Sequence, residues 1–314
     1  MPSSKLGTRL RPKRSTMDKP VVFTFDAIGT QWTIEIFQEL SATRRTKIVT
    51  STTDRIAAFD ANYSRFRSDS LVARMAQKAG TYTLPSDARA MLDLYKKLYD
   101  ITEGKVTPLI GDLLEDAGYD AQYSLQPKAI RGVPKWNEIL EYDFPKLTVR
   151  RPTMLDFGAA GKGYLVDIIG ELLHTQKVYA FSINAGGDIL VSQPPTGTLP
   201  IALEHPADAS MAIGIAKLSH GSLCGSSGNR RAWADYHHIM DPDKQASPMH
   251  IHALWVYAET AILADAISTC LFFASPELIA RYFDFEYAIV KTDNSLVVSP
   301  KFPATFFGKD TENQ

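Results

Sequence analysis

Asp265 and Thr269 are the residues whose types and spacing say most about chemistry. They stand four apart on a helix expected over 261–273, so they share one face, one turn apart. Their neighbours Ile262, Leu263, Ala264, Ala266, Ile267 and Leu271 are apolar. A carboxylate in such company is costly unless it is paired or holds a cation. One carboxylate and one hydroxyl are hard oxygen donors, and they suit a magnesium ion that fills its shell with water, backbone oxygen or phosphate. A carboxylate that caps or ion-pairs with a neighbouring loop satisfies the same pattern, so both readings stand at this point.

The segment Asp156-Phe-Gly-Ala-Ala-Gly-Lys-Gly-Tyr-Leu-Val-Asp167 places glycines at 158, 161 and 163 between an expected strand and a helix start. Glycines let backbone approach a ligand closely, and helix-end amides with Lys162 favour phosphate. The spacing is neither a P-loop nor a dinucleotide fingerprint, and a tight turn with a solvated lysine is the alternative. Asn184-Ala-Gly-Gly-Asp188 is a second such turn, either shaping a ligand pocket or simply needing positive φ at its glycines. Ser226-Ser-Gly-Asn-Arg-Arg231 precedes Tyr236-His-His-Ile-Met-Asp-Pro242. On a strand His237 and His238 face opposite ways, so at most one lines a given pocket as a proton acceptor. A purely structural histidine is the alternative. His250 and His252 alternate on one strand face without a third ligand and read as surface residues.

These groups need elements to hold them. β-branched and aromatic content predicts strands over 21–25 and 32–37, turned at Gly29. A helix is expected over 41–58, and a clearer one over 86–103, N-capped by Ser86, striped by Met91, Leu92, Tyr95, Leu98 and Tyr99, and stopped at Gly104. Residues 120–145 read as a surface excursion leading to a strand over 147–150. Strand and helix then alternate: strands over 154–157, 178–183, 189–191 and 253–257, with a helical stripe of Leu165, Ile168, Ile169 and Leu172. A hairpin is expected at Asp293-Asn294. The fold class is α+β, one compact unit of two packed α/β lobes over residues 19–308.

The composition, 45 % hydrophobic and 22 % charged, is that of an ordinary globular chain. A formal charge of −1 gives no global field for nucleic acid, so phosphate recognition must be local. Cys224 and Cys270 form no metal-ligand spacing. Residues 1–18 carry Lys5, Arg9, Arg11, Lys13 and Arg14 and read as a disordered basic tail or leader. No apolar run follows them and no transmembrane stretch is seen, so the cytoplasm is the expected compartment.

In order along the chain, these segments resemble the ApbE family, the FAD:protein FMN transferases. The resemblance rests on Ile28-Gly-Thr-Gln-Trp32, Tyr63-Ser-Arg-Phe-Arg-Ser-Asp-Ser70, and Gly104-Lys-Val-Thr-Pro-Leu-Ile-Gly111 with Ala117-Gly-Tyr119. It continues through the 156–167 segment, the Asn184 turn, His238-Ile-Met-Asp-Pro242 and Ala264-Asp-Ala-Ile-Ser-Thr269. Carried over by position, it implies FAD contacts at Ile28, Phe66, a Lys105-Val106-Thr107 strand, Asp156, Lys162 and Met240. Asn184 and Asp188 are expected to shape the flavin or phosphate pocket. The resemblance further implies magnesium at Asp265, Thr269 and the Ala159 carbonyl, and catalytic roles for His238 and Asp265. Three departures stand out. Ile28 replaces the usual Met, Thr107 replaces an Asp, and Ser268 replaces an Asp that some members use for a further metal.

The implied activity is magnesium-dependent transfer of FMN from FAD to a Ser or Thr hydroxyl in the flavinylation motif of an acceptor protein, with release of AMP. Two alternatives use the same residues: a magnesium-dependent FAD pyrophosphatase, and a non-catalytic FAD-binding protein.

Overall fold

The computed structural model describes residues 19–228 and 232–307. The expected tail over 1–18, residue 308 and the Asn229-Arg-Arg231 part of the turn before the histidines lie outside the described residues. The chain begins with β1 (Val21–Ala27), β2 (Thr30–Ile36), α1 (Ala42–Tyr63), α2 (Leu71–Gln77), β3 (Gly80–Thr83) and α3 (Ala88–Ile101). A 3-10 turn (Pro108–Ile110) leads to α4 (Gly111–Asp116), α5 (Trp136–Ile139), β4 (Leu140–Asp143), β5 (Lys146–Val149) and α6 (Gly161–Thr175). Next come β6 (Phe181–Ala185), β7 (Asp188–Ser192), β8 (Leu199–His205), β9 (Asp208–Leu218), β10 (His220–Ser227), β11 (Ala232–Trp233) and β12 (Tyr236–His237). The last elements are β13 (Ile251–Ala258), α7 (Ala261–Cys270), α8 (Pro276–Ile279), β14 (Glu286–Lys291), β15 (Leu296–Val298) and β16 (Ala304–Phe306).

The scaffold is an eight-stranded sheet in the order β1-β2-β6-β7-β10-β13-β14-β15. Every pairing in it is antiparallel, which makes the fold α+β. Alternation sorts its two faces. On β2, Trp32, Ile34 and Ile36 are buried on one side, while Thr33 and Glu35 occupy the other. α6 packs across the buried side against α1, α7, β6 and β7. The second lobe holds α2 to α5 and the small sheet β3-β5-β4. One hydrophobic core runs from Trp32 through Leu147 and Val149 to Ile289, so the lobes form one unit.

Three local expectations are corrected. Lys105-Val106-Thr107 is a bend, not a strand, because Pro108 lacks an N–H and opens a 3-10 turn that Thr107 caps through the Leu109 N–H at 3.2 Å. Residues 154–157 join no ladder. Their backbone turns to that 3-10 turn and to α4, through Asp156 N–H to the Pro108 carbonyl (2.8 Å) and Met154 N–H to Asp112 (3.3 Å). α3 starts at Ala88 rather than after Ser86, and its N-cap Asp87 makes no side-chain capping bond. That carboxylate instead binds Arg55 and the Tyr63 hydroxyl.

Candidate active site

α6 and α7 cross at Gly163, and the crossing builds the centre of the site. A Cβ there would stand 2.2 Å from the Ala261 carbonyl oxygen, so only glycine allows the approach. Asp265, 6 % exposed, uses it: Oδ2 accepts the Gly163 N–H at 2.8 Å. In a regular helix that N–H would turn to the carbonyl four residues back, that of Ala159. Asp265, Thr269 and Ala159 all line one cavity of about 430 Å³. Ser268 is buried and faces away, donating to the Asp265 carbonyl at 2.7 Å and meeting the Ser226 hydroxyl at 2.7 Å.

Two carboxylates, Asp156 and Asp265, and two lysines, Lys105 and Lys162, line this cavity. The Tyr95 hydroxyl, fully buried, accepts the Ala159 N–H at 3.1 Å. Burial pushes its pKa well up, and the carboxylates of Asp156 and Asp265 push it further. The buried Cys224 thiol is raised by burial and by Asp265, with Lys162 offsetting part. The Asp265 carboxylate, the Thr269 hydroxyl and the Ala159 carbonyl make an oxygen-only donor set that fits a magnesium ion taking most ligands from water and substrate. Among the described residues, no three His, Cys, Asp or Glu side chains gather into a metal cluster.

The phosphate side is the α6 N-terminus. Lys162 lines the cavity and pairs with Asp188, which is buried behind it at 1 % exposure. Asp156 accepts the Gly158 N–H at 2.7 Å through Oδ1 and Arg65 Nε at 2.6 Å through Oδ2. The Arg65 guanidinium lies 4.1 Å from the Phe66 ring centroid and 4.9 Å from that of Tyr119. Phe66 in turn stacks on Tyr123, with centroids 5.5 Å apart and planes 8° apart. Lys105 bridges Asp241 and Asp243, each at 2.7 Å, and lines the cavity with Val106 and Thr107.

His238 and Met240 close the far wall. His237, the last residue of β12, does not line the cavity, and it is set apart from His238 not by strand alternation but by the bend on which His238 stands, with the ring centroids 6.2 Å apart. It is buried, with Nε2 at 3.0 Å from the Pro248 carbonyl and Nδ1 accepting the Ile239 N–H at 3.2 Å. Burial lowers its pKa, which keeps it neutral and structural.

The ApbE family model matches residues 28–289. The chain belongs to the ApbE family. It is 26 % identical to an FAD:protein FMN transferase of Rhodobacter capsulatus over 258 residues, 75 % of this chain but 48 % of that protein. A Haemophilus influenzae FAD:protein FMN transferase is 23 % identical over 81 % of each chain. The chain thus spans about half the length of the first relative and most of the second. Among solved structures, an ApbE protein of Thermotoga maritima superposes with a TM-score of 0.76 at 21 % identity, covering 90 % of this chain and 97 % of that one. The flavin transferase ApbE of Vibrio cholerae gives 0.74 at 17 %, over 90 % and 98 %. At these identities the structures establish the ApbE fold.

Of the expected contacts in this ApbE chain, Phe66, Lys105, Val106, Thr107, Asp156, Ala159, Lys162, His238, Met240, Asp265 and Thr269 share the one cavity. Three expected wall residues do not. Ile28 packs against the core beside it, leaving Gly29 and Thr30 as wall. Asn184 is exposed toward a neighbouring groove, its Oδ1 holding the Gly187 N–H at 2.9 Å. Asp188 lies beneath the wall and pairs with Lys162. Sequence reasoning missed Arg65, although it sat inside a quoted motif; a basic residue beside an aromatic was the available signal. Gly29, Thr30, Ser226, Ser227 and Phe273 were also missed as wall residues, and nothing in their types marks them.

Proposed function

We propose that the chain is a magnesium-dependent FAD:protein FMN transferase, moving the FMN half of FAD onto a Ser or Thr hydroxyl of another protein and releasing AMP. One observation carries this reading: groups from five separated segments, Phe66, Lys105 to Thr107, Asp156 to Lys162, His238 to Met240, and Asp265 with Thr269, converge on a single cavity. The family's named relatives support the same chemistry.

The diphosphate of FAD sits at the α6 N-terminus, where the positive end of the helix dipole and the Lys162 ammonium favour it. Asp265, Thr269 and the Ala159 carbonyl would hold a magnesium ion, which would supply charge withdrawal from the phosphate oxygens. Phe66, Val106 and Met240 offer apolar surface to the flavin ring. The acceptor hydroxyl attacks the FMN-side phosphorus, forming one P–O bond as the bond to AMP breaks, and His238 takes the hydroxyl proton. Lys162 offsets the charge that develops on departing AMP.

The test is direct. Chain, FAD, magnesium chloride and a cell extract are expected to yield a flavin-fluorescent protein band that survives denaturing electrophoresis. AMP formed with free FMN and no labelled band would contradict transfer and leave a pyrophosphatase.

A further inference from the structure

Beside the cavity the main sheet opens a larger groove of about 960 Å³. The walls of the two spaces share Thr30, Gly186, Gly225, Ser226 and Ser227, so one leads into the other. The groove floor is the side of the sheet opposite the helices: Thr33 and Glu35 of β2, Ser182 and Asn184 of β6. Farther along the same face, the sheet β16-β9-β8 covers β7, β10, β13 and β14 through Leu203, Leu218, Leu223, Trp255 and Val290. That cover stops at β8, the outer strand of its sheet, whose residues form the groove wall.

Register fixes what this edge offers. Lys217 sends its N–H to the Pro303 carbonyl on the β16 side, and Lys217 stands opposite Pro200. Antiparallel alternation therefore turns the backbone of Leu199 and Ile201 toward β9. It turns the Pro200 carbonyl and the N–H and C=O of Ala202 toward the groove. Pro200 sits where its missing N–H costs no ladder bond.

We propose that this edge receives an extended segment of the acceptor protein. The segment adds to β8 as a fourth strand above β2 and β6 and delivers its Ser or Thr hydroxyl through the shared wall into the cavity. The inference rests on the FMN-transfer function proposed above, which requires a hydroxyl fixed to a polypeptide to reach the bound phosphate. A passage opening on the cavity and ending in a strand edge supplies that route. Strand addition reads backbone and leaves alternate side chains to set specificity. Regular register runs from Leu199 to Leu203, an edge about 15 Å long, before it shifts at Glu204.

The probe is a library of short peptides, each with one central threonine, incubated with the full chain, FAD and magnesium and read for bound flavin. A labelled peptide is then compared across wild type, Ala202→Pro and Thr33→Trp. The first variant removes a groove-facing N–H without touching a bond to β9, and the second fills the floor. Both are expected to keep FAD affinity within about twofold and to raise the peptide KM at least about tenfold, the loss of one or two backbone hydrogen bonds. Unchanged peptide kinetics in both variants would overturn the inference. So would a parallel fall in FAD affinity, which would give the groove to the adenosine half of FAD. A wild-type chain that labels proteins in extract but no peptide overturns strand addition and leaves the function standing. One that labels neither overturns both.

Discussion

Asp265 meets two demands with one carboxylate. Oδ2 takes the Gly163 N–H at 2.8 Å, locking α6 to α7, while the same side chain faces the cavity. The two roles separate in Asp265→Asn. The amide oxygen still accepts the Gly163 N–H, so the fold is kept, but the charge that would bind a cation is gone. The rate of AMP release from FAD is expected to fall at least about 100-fold, with the thermal midpoint moved by only a few degrees. A rate within twofold of wild type would remove the metal from the account. The helical spacing of Asp265 and Thr269 was legible in the sequence because a lone acid on an apolar helix has few affordable environments. The pairing of Arg65 with Asp156 was not, since it joins positions 91 residues apart.

Elements explain why those residues hold still. Gly163→Ala would push a Cβ against the Ala261 carbonyl oxygen and the Asp265 Cβ. Neither is the far end of a flexible chain, so the helices must separate. A loss of about 3 kcal/mol in unfolding free energy is expected. A variant as stable as wild type would show that the crossing is looser than described.

The N-terminus of α7 is capped from α6. Thr260 makes no capping bond, and the Asp167 carboxylate accepts the Ala261 and Ile262 N–H groups, each at 2.8 Å. Burial nevertheless raises the Asp167 pKa from 3.8 to about 6, with those two bonds pulling the other way. Between pH about 4 and about 6 the folded chain keeps a proton that the unfolded chain has released. The contribution of this group is therefore full below about pH 4 and is lost as the pH rises through about 6, at most about 3 kcal/mol. In metal-free denaturant titrations across that range, Asp167→Asn should flatten the pH dependence. An unchanged slope would assign it to other groups. The glycine positions and the α6 and α7 stripes were legible from period and residue type. The 105–107 bend was misread because three residues before a proline look the same extended or turned.

At the scale of the molecule, an antiparallel sheet carries helices on one face and a smaller sheet over part of the other. The α+β class and the two packed lobes could be read from the run of strands and helices. The order β1-β2-β6-β7-β10-β13-β14-β15 could not, because it depends on which edges meet after folding rather than on any local pattern. That order sets the cavity beside the groove on the main sheet, and under the proposed function FAD and the acceptor segment would approach from different sides. The most direct measurement follows phosphorus. FAD carrying radiolabel on the FMN-side phosphorus, and separately on the AMP-side phosphorus, is incubated with the chain, magnesium and extract. The account predicts that the first label stays on a protein other than the chain itself after denaturation, while the second is recovered as AMP. Both labels recovered only in small molecules, or both on protein, would contradict it.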